Sequence, residues 1–254
     1  MTRRSLLALV VVVGPTLACT QPERHDPLPI ANAPRVTAPS PGILVPGAKP
    51  QYSQGNEELI IRDFFGDRRD GVFLDVGCAS PMLNSNTYYL EKHLGWSGIA
   101  VDALPEFATA WQRKRPHSRF FNYLVTDHAD TVEPFFRSEL RGISSVDSQT
   151  KGPGGKPVKL EKIQTPTTTL TRLLEANGLA HVDLLSLDIE GHEPPALAGF
   201  DIERFRPALA CVEAKPPNRE KLLRYFADHG YERIERYQAY DGTNYYFTPR
   251  APSR

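Results

Sequence analysis

Acids crowd the end of an apolar run at two places in this chain. "FLDVGCASP" (Phe73–Pro81) sets Asp75 two positions before Gly77, with Cys78 directly after. "SLDIEGHE" (Ser186–Glu193) holds Asp188, Glu190, His192 and Glu193 within six residues. Between the two, Asp102 closes the apolar run "GIAVD". A carboxylate accepts hydrogen bonds from two neighbouring hydroxyls at once, as a ribose presents them. Glycine lets the backbone turn tightly and approach a ligand closely. Asp75-Val76-Gly77 followed by Asp102 therefore has the layout of a nucleoside site, in which an acid ending the second strand meets the ribose.

The residues missing from that layout narrow the ligand. A dinucleotide loop needs two further glycines, and Cys78, Ala79 and Ser80 stand in their place. Without those glycines the backbone does not close on a pyrophosphate, which argues against a nicotinamide dinucleotide. S-adenosylmethionine has a ribose and no phosphates, and its sulfonium suits acidic strand ends. In the second cluster, Asp188 and Glu190 share a face of an extended chain. They would lie near the sulfonium or an acceptor hydroxyl. Asp188, Glu190 and His192 are the candidate catalytic residues, with His192 or Glu190 as general base. Holding the acceptor oxygen in line with the methyl carbon would supply most of the acceleration. Glu193 reads as a first-turn helix acid. Glu213, ending "ALACVE", either faces the site or is an ordinary strand-end acid. Paired carboxylates can bind Mg²⁺, but no third ligand is evident and no metal is expected.

Bringing these acids together requires strand ends side by side. Apolar residues at helical spacing in "NEELIIRDFFG" predict a helix ending at Gly66. "GVFLDVG" predicts a strand, "SNTYYLEKHLG" a helix capped by Ser85 or Asn86, "WSGIAVDA" a strand, "PEFATAWQRKR" a helix and "SRFFNYLVTD" a strand. After an irregular middle containing the loop "KGPGGKPVKL", the pattern resumes. Helix "TTLTRLLEANG", strand "HVDLLSLDI", helix "EPPALAGFDIERF", strand "ALACVEA" and helix "NREKLLRYFADHG" follow. "YERIERY" and "TNYYFTP" close the chain as two strands around Asp241-Gly242. The expected fold is α/β: a mostly parallel, Rossmann-like sheet with helices on both faces and an antiparallel C-terminal end. The loop "GISSVDS" (142–148) is a candidate wall of the acceptor pocket.

The blocks "SQGNEELIIRDFF", "FLDVGCASPMLNSNTYYLEKHLGWSGIAVDALPE" and "VDLLSLDIEGHEPPALAGFD" resemble, in order, those of the FkbM-type methyltransferases. The resemblance implies the class I S-adenosylmethionine-dependent fold and methylation of a hydroxyl oxygen, on a sugar or another secondary alcohol. It also implies that Asp75 and Gly77, with Cys78 beside them, flank the methionine end, that Asp102 holds the ribose, and that Asp188 and its neighbours border the methyl group. Two departures stand out. Cys78-Ala79-Ser80 replaces the Ala-Asn-x usual after Asp-Val-Gly, and "VDALPE" replaces Glu-Pro-Asn-Pro while keeping the acid.

The chain of 254 residues is 40% hydrophobic and 24% charged, with thirty basic and thirty acidic residues. That balance gives no global attraction to nucleic acid, and the short run "QRKRPHSR" reads as solvated surface. Residues 1–19, "MTRRSLLALVVVVGPTLAC", have a basic start, a short apolar stretch and a small-residue end, the layout of a signal peptide. "TLAC" resembles a lipobox whose Cys19 would carry lipid, although Thr16 stands where leucine is usual, leaving ordinary signal-peptidase cleavage open. Residues 20–50 contain eight prolines and read as an extended tether. The methyltransferase domain is expected over 51–250. The chain is thus expected to be an exported, membrane-anchored lipoprotein, with cytoplasmic residence the alternative if translation starts later. Because S-adenosylmethionine is made in the cytosol, export also motivates a second reading, an anchored binding module that keeps the fold without catalysis.

Overall fold

The structure, a computed structural model, describes residues 42–45, 47–140 and 143–251. The signal segment, Cys19 and the tether as far as residue 41 lie outside the described residues.

Helix α1 (Glu57–Phe65) buries Leu59, Ile60, Ile61, Phe64 and Phe65 and ends at Gly66 in the left-handed conformation. Then come β1 (Val72–Val76), α2 (Tyr88–Leu94), β2 (Ser97–Asp102), α3 (Ala108–Lys114), β3 (Ser118–Asn122) and β4 (Leu124–Val125). A pair of longer strands, β5 (Val132–Ser138) and β6 (Leu160–Thr168), precedes α4 (Leu170–Ala176) and β7 (Leu184–Leu187). The chain continues through α5 (Glu193–Ala198), α6 (Ile202–Phe205), β8 (Leu209–Glu213), α7 (Arg219–Asp228), β9 (Tyr231–Arg233) and β10 (Asn244–Pro249).

Seven strands form one sheet in the order β3-β2-β1-β7-β8-β10-β9. Strand β10 runs antiparallel to both β8 and β9, and the other neighbours are parallel. This is the α/β arrangement expected from the alternating pattern. The sheet is buried on both faces, which explains why its strands read as continuous apolar runs. Val72, Leu74 and Val76 of β1 point to the side of Leu173, Leu197 and Phe226, from α4, α5 and α7. Phe73 points to the other side, against Ile60, Leu90 and Trp96.

Register then aligns the strand ends. Val101, Val76, Leu187 and Val212 pair across β2, β1, β7 and β8. The next residue of each strand is Asp102, Gly77, Asp188 and Glu213 respectively. Four chain segments distant in sequence thus deliver three acids and a glycine to one row.

Some elements differ from expectation. The middle, expected to be irregular, carries β5 and β6 in a three-stranded sheet of order β4-β6-β5. Pro134 and Pro166 lie inside these strands, and proline reads as a strand breaker. "SRFFNYLVTD" divides into β3 and β4, and "EPPALAGFDIERF" into α5 and α6, where Asp201 caps α6 by accepting from the Arg204 N–H. "YERIERY" is strand only as far as Arg233, then forms a 3₁₀ turn over Glu235–Ala239.

Candidate active site

The loop after β1 is built around Asp75. Burial raises the pKa of this carboxyl, opposed by a hydrogen bond from Thr87 and the charge of Arg115. Thr87 Oγ1 donates to Asp75 Oδ2 at 2.6 Å and accepts from Arg115 Nη2 at 3.0 Å. Arg115 is fully buried and pairs with Glu91 at 2.6 Å, while its Nη1 reaches the Pro81 carbonyl at 3.1 Å. One guanidinium therefore ties the far end of the loop to α2. Ser85, expected as a possible helix cap, accepts from the Tyr88 N–H at 3.2 Å.

Gly77 has φ +80°, and a Cβ there would lie 1.7 Å from the Asp188 carbonyl oxygen. No side chain fits, so the loops after β1 and β7 touch backbone to backbone. Ala79 also sits at positive φ, +41°, a conformation unfavourable for alanine. It is held on both sides: its N–H donates to Asp102 Oδ2 at 2.8 Å, and its carbonyl accepts from Trp111 Nε1 at 2.8 Å. Asp102 Oδ1 accepts from the Leu104 N–H at 2.8 Å. Burial drives the Asp102 pKa up to about 6 despite those donors. The Cys78 thiol is buried against Ala100 and Trp111, and burial pushes its pKa well up. It is a packing thiol rather than a nucleophile. Cys211 is likewise free and buried.

The loop after β7 turns through Glu190 (φ +59°) and Gly191 (φ +99°). Glu193 fastens that turn: its Oε1 accepts from the N–H groups of Ile189 (3.3 Å) and Gly191 (2.9 Å), its Oε2 from Asn218 at 3.3 Å. Glu190 pairs with Lys215. Asp188 is open to solvent, yet its side chain receives no protein hydrogen bond among the described residues. Crowding by protein on its inner side, and then the charges of Glu213, Glu190 and Glu193, push its pKa up, with Lys215 opposing and the exposed side tempering the shift. Burial raises Glu213 as well, against the pull of Lys215.

Asp188, Glu190 and Glu213 line an open cavity of about 460 Å³, flanked by Gln54–Glu57 before and within α1 and by Tyr240–Asn244 leading into β10. That volume lies in the range of small-molecule sites. His192 is not part of this lining. It stands at the start of α5, its Nε2 is 3.2 Å from Thr126 Oγ1, and burial lowers its pKa. The described part of "GISSVDS" is elsewhere too, with Ser145 bridged to Phe136 of β5. Sequence reasoning missed Lys215, Asn56, Tyr240 and Asp241, whose relation to the acids arises only through tertiary contacts. Among the described residues, no cluster of three or more His, Cys, Asp or Glu side chains has metal-binding geometry.

The strand ends bring Asp102, Gly77 and Asp188 into one row. Each Asp102 oxygen accepts one backbone N–H and so keeps a lone pair for a ribose hydroxyl.

A family model described as the methyltransferase FkbM domain matches residues 75–233. No curated protein matches. Among solved structures, the chain is similar to a TehB-like S-adenosylmethionine-dependent methyltransferase from Corynebacterium glutamicum, with 16% identity over 78% of this chain and 89% of that one and a TM-score of 0.43. It is similar to a putative RNA methyltransferase from Pyrococcus horikoshii, with 13% identity over 78% and 82% and a TM-score of 0.40. A third is a 1,6-didemethyltoxoflavin N1-methyltransferase from Burkholderia thailandensis, with 16% identity over 76% and 74% and a TM-score of 0.37.

Proposed function

The chain belongs to the FkbM methyltransferase family and uses S-adenosylmethionine, and from that premise we propose that it methylates a hydroxyl oxygen of a small polar acceptor, a sugar or similar secondary alcohol. The observation that carries this reading is the cavity beside Asp188, because it opens from the same row of strand ends as Gly77 and Asp102. Asp75 and Gly77 would border the methionine end of the cofactor, with Cys78 packing behind the loop, and Asp102 would accept from the ribose. When bound, the cofactor supplies an electrophilic methyl carbon on a cationic sulfur.

The residues of the chain position the acceptor and take its proton. Asp188 is the general base in this reading: it faces the cavity, is not committed to a protein donor, and its raised pKa makes it a better proton acceptor near neutrality. Glu190, neutralised by Lys215, orients the loop. His192, held by Thr126 outside the cavity lining, supports the start of α5.

Calorimetry of the full chain with S-adenosylhomocysteine tests the premise; absence of binding at millimolar ligand would sink it. Asp188→Asn should leave that binding in place while lowering kcat by about two to four powers of ten. An unchanged kcat would remove Asp188 from the base role.

A further inference from the structure

We propose that Thr87 and Arg115 are positioning residues that hold the Asp75 carboxylate for the ammonium at the methionine end of the cofactor. The inference rests on the methyltransferase reading above and deepens it on the cofactor side of the site.

Asp75, Thr87, Glu91 and Arg115 are each at least nine-tenths buried, where a lost or misdirected hydrogen bond is costly. A guanidinium carries donors and no acceptor. The 3.0 Å contact from Arg115 Nη2 to Thr87 Oγ1 therefore occupies a lone pair of the hydroxyl. Its single proton is left for Asp75 Oδ2, 2.6 Å away. Chemistry thus fixes the direction of the chain from Arg115 through Thr87 to Asp75, and each step favours a charged Asp75. The same guanidinium holds the Pro81 carbonyl at 3.1 Å, which sets the loop after Gly77 relative to that carboxylate.

The distribution of charge shows what the arrangement is for. One guanidinium serves two buried carboxylates, and Glu91 takes the ion pair: its Oε2 accepts from Arg115 Nε at 2.6 Å and its Oε1 from the His117 N–H at 3.0 Å. Asp75 meets the cation through the threonine hydroxyl instead, so its charge is oriented without being cancelled. Its Oδ1 accepts from no protein group among the described residues. Burial pushes the Asp75 pKa up, and Thr87 and then Arg115 pull against it. A ligand ammonium brings both a full charge and N–H donors, and a charge-assisted bond of this kind is stronger than one to a neutral group. Thr87 and Arg115 act on that bond only through Asp75.

The test titrates the full chain with S-adenosylhomocysteine, which has the amino-acid end, and with methylthioadenosine, which lacks it. Thr87→Val keeps the side-chain shape and removes the hydroxyl. It should weaken S-adenosylhomocysteine binding at least about tenfold while changing methylthioadenosine binding by less than about threefold. Thr87→Ser, which restores the hydroxyl, should recover S-adenosylhomocysteine affinity to within about threefold of wild type. Equal weakening of both ligands, no weakening of either, or a serine variant as weak as the valine one would overturn the proposal. Should Thr87→Val fail to fold, Thr87→Cys, whose thiol is only a weak donor, takes its place with the same outcomes. Failure of the wild-type protein to bind S-adenosylhomocysteine would remove the methyltransferase reading itself, and this inference with it.

Discussion

Asp102 does two jobs with one carboxylate, and its titration exposes both. Its oxygens hold the N–H groups of Ala79 and Leu104, and in the proposed role they also receive the ribose. Burial raises its pKa from 3.8 to about 6, so between these values the folded chain holds a proton that the unfolded chain has released. Stability from this group is fully present below about pH 4 and is lost as pH rises through about 6, a difference on the order of 3 kcal/mol. Cofactor affinity should move the opposite way, because only the ionised form offers both oxygens as acceptors. Denaturant unfolding and S-adenosylhomocysteine titration across that window should show both trends, and Asp102→Asn should flatten them. A wild-type protein with neither trend would show that Asp102 does not titrate there. That Asp102, Gly77 and Asp188 would lie side by side was legible because each closes or directly follows an apolar strand. Glu213 was legible only as an acid at a strand end. Its pairing with Lys215 at 3.3 Å depends on where that lysine points, which spacing along the chain does not encode.

Among the elements, the loop between β1 and α2 depends on a residue beyond its own sequence. Arg115, just past α3, joins Glu91 of α2, Thr87 and the Pro81 carbonyl. Replacing it with methionine would leave the buried Glu91 carboxylate without its partner. Arg115→Met should therefore lower unfolding stability by about 3–5 kcal/mol, whereas exposed Arg113→Met should stay within about 0.5 kcal/mol. Equal unfolding midpoints for the two variants in denaturant would contradict this role. From sequence, Arg115 belongs to a basic run that reads as solvated surface, because nothing local reveals that its guanidinium turns inward. Helices and parallel strands were readable from periodicity alone. The β5–β6 pair was not: its strands contain prolines and charged residues, and only the pairing Val132↔Pro166 through Ser138↔Leu160 defines it.

At the scale of the whole molecule, alternation of strand and helix was enough to expect a parallel sheet covered on both faces with an antiparallel end. The strand order, which sets β1 between β2 and β7, follows from long-range pairing. For the segment before the domain, we propose export and lipid attachment at Cys19, on the basis of its leader-like sequence. Labelled palmitate should enter the wild-type chain in a bacterial host and not Cys19→Ala; an unlabelled wild-type chain would end the anchor proposal.

The cavity proposed for the acceptor is a seam between the two ends of the domain. Asn56 Nδ2 donates to the Tyr240 carbonyl at 2.8 Å, and Asn244 Nδ2 donates to Glu57 Oε1 at 3.2 Å although 187 positions separate them in the sequence. Synthesis proceeds from the N-terminus, so Gly77, Asp102 and Asp188 all exist before the wall formed by Tyr240–Asn244 has been made. In the proposed roles, the residues that meet the cofactor are made before the far wall of the cavity exists. On the same reading, selection of the molecule to be methylated would wait until the last strand closes onto the first helix.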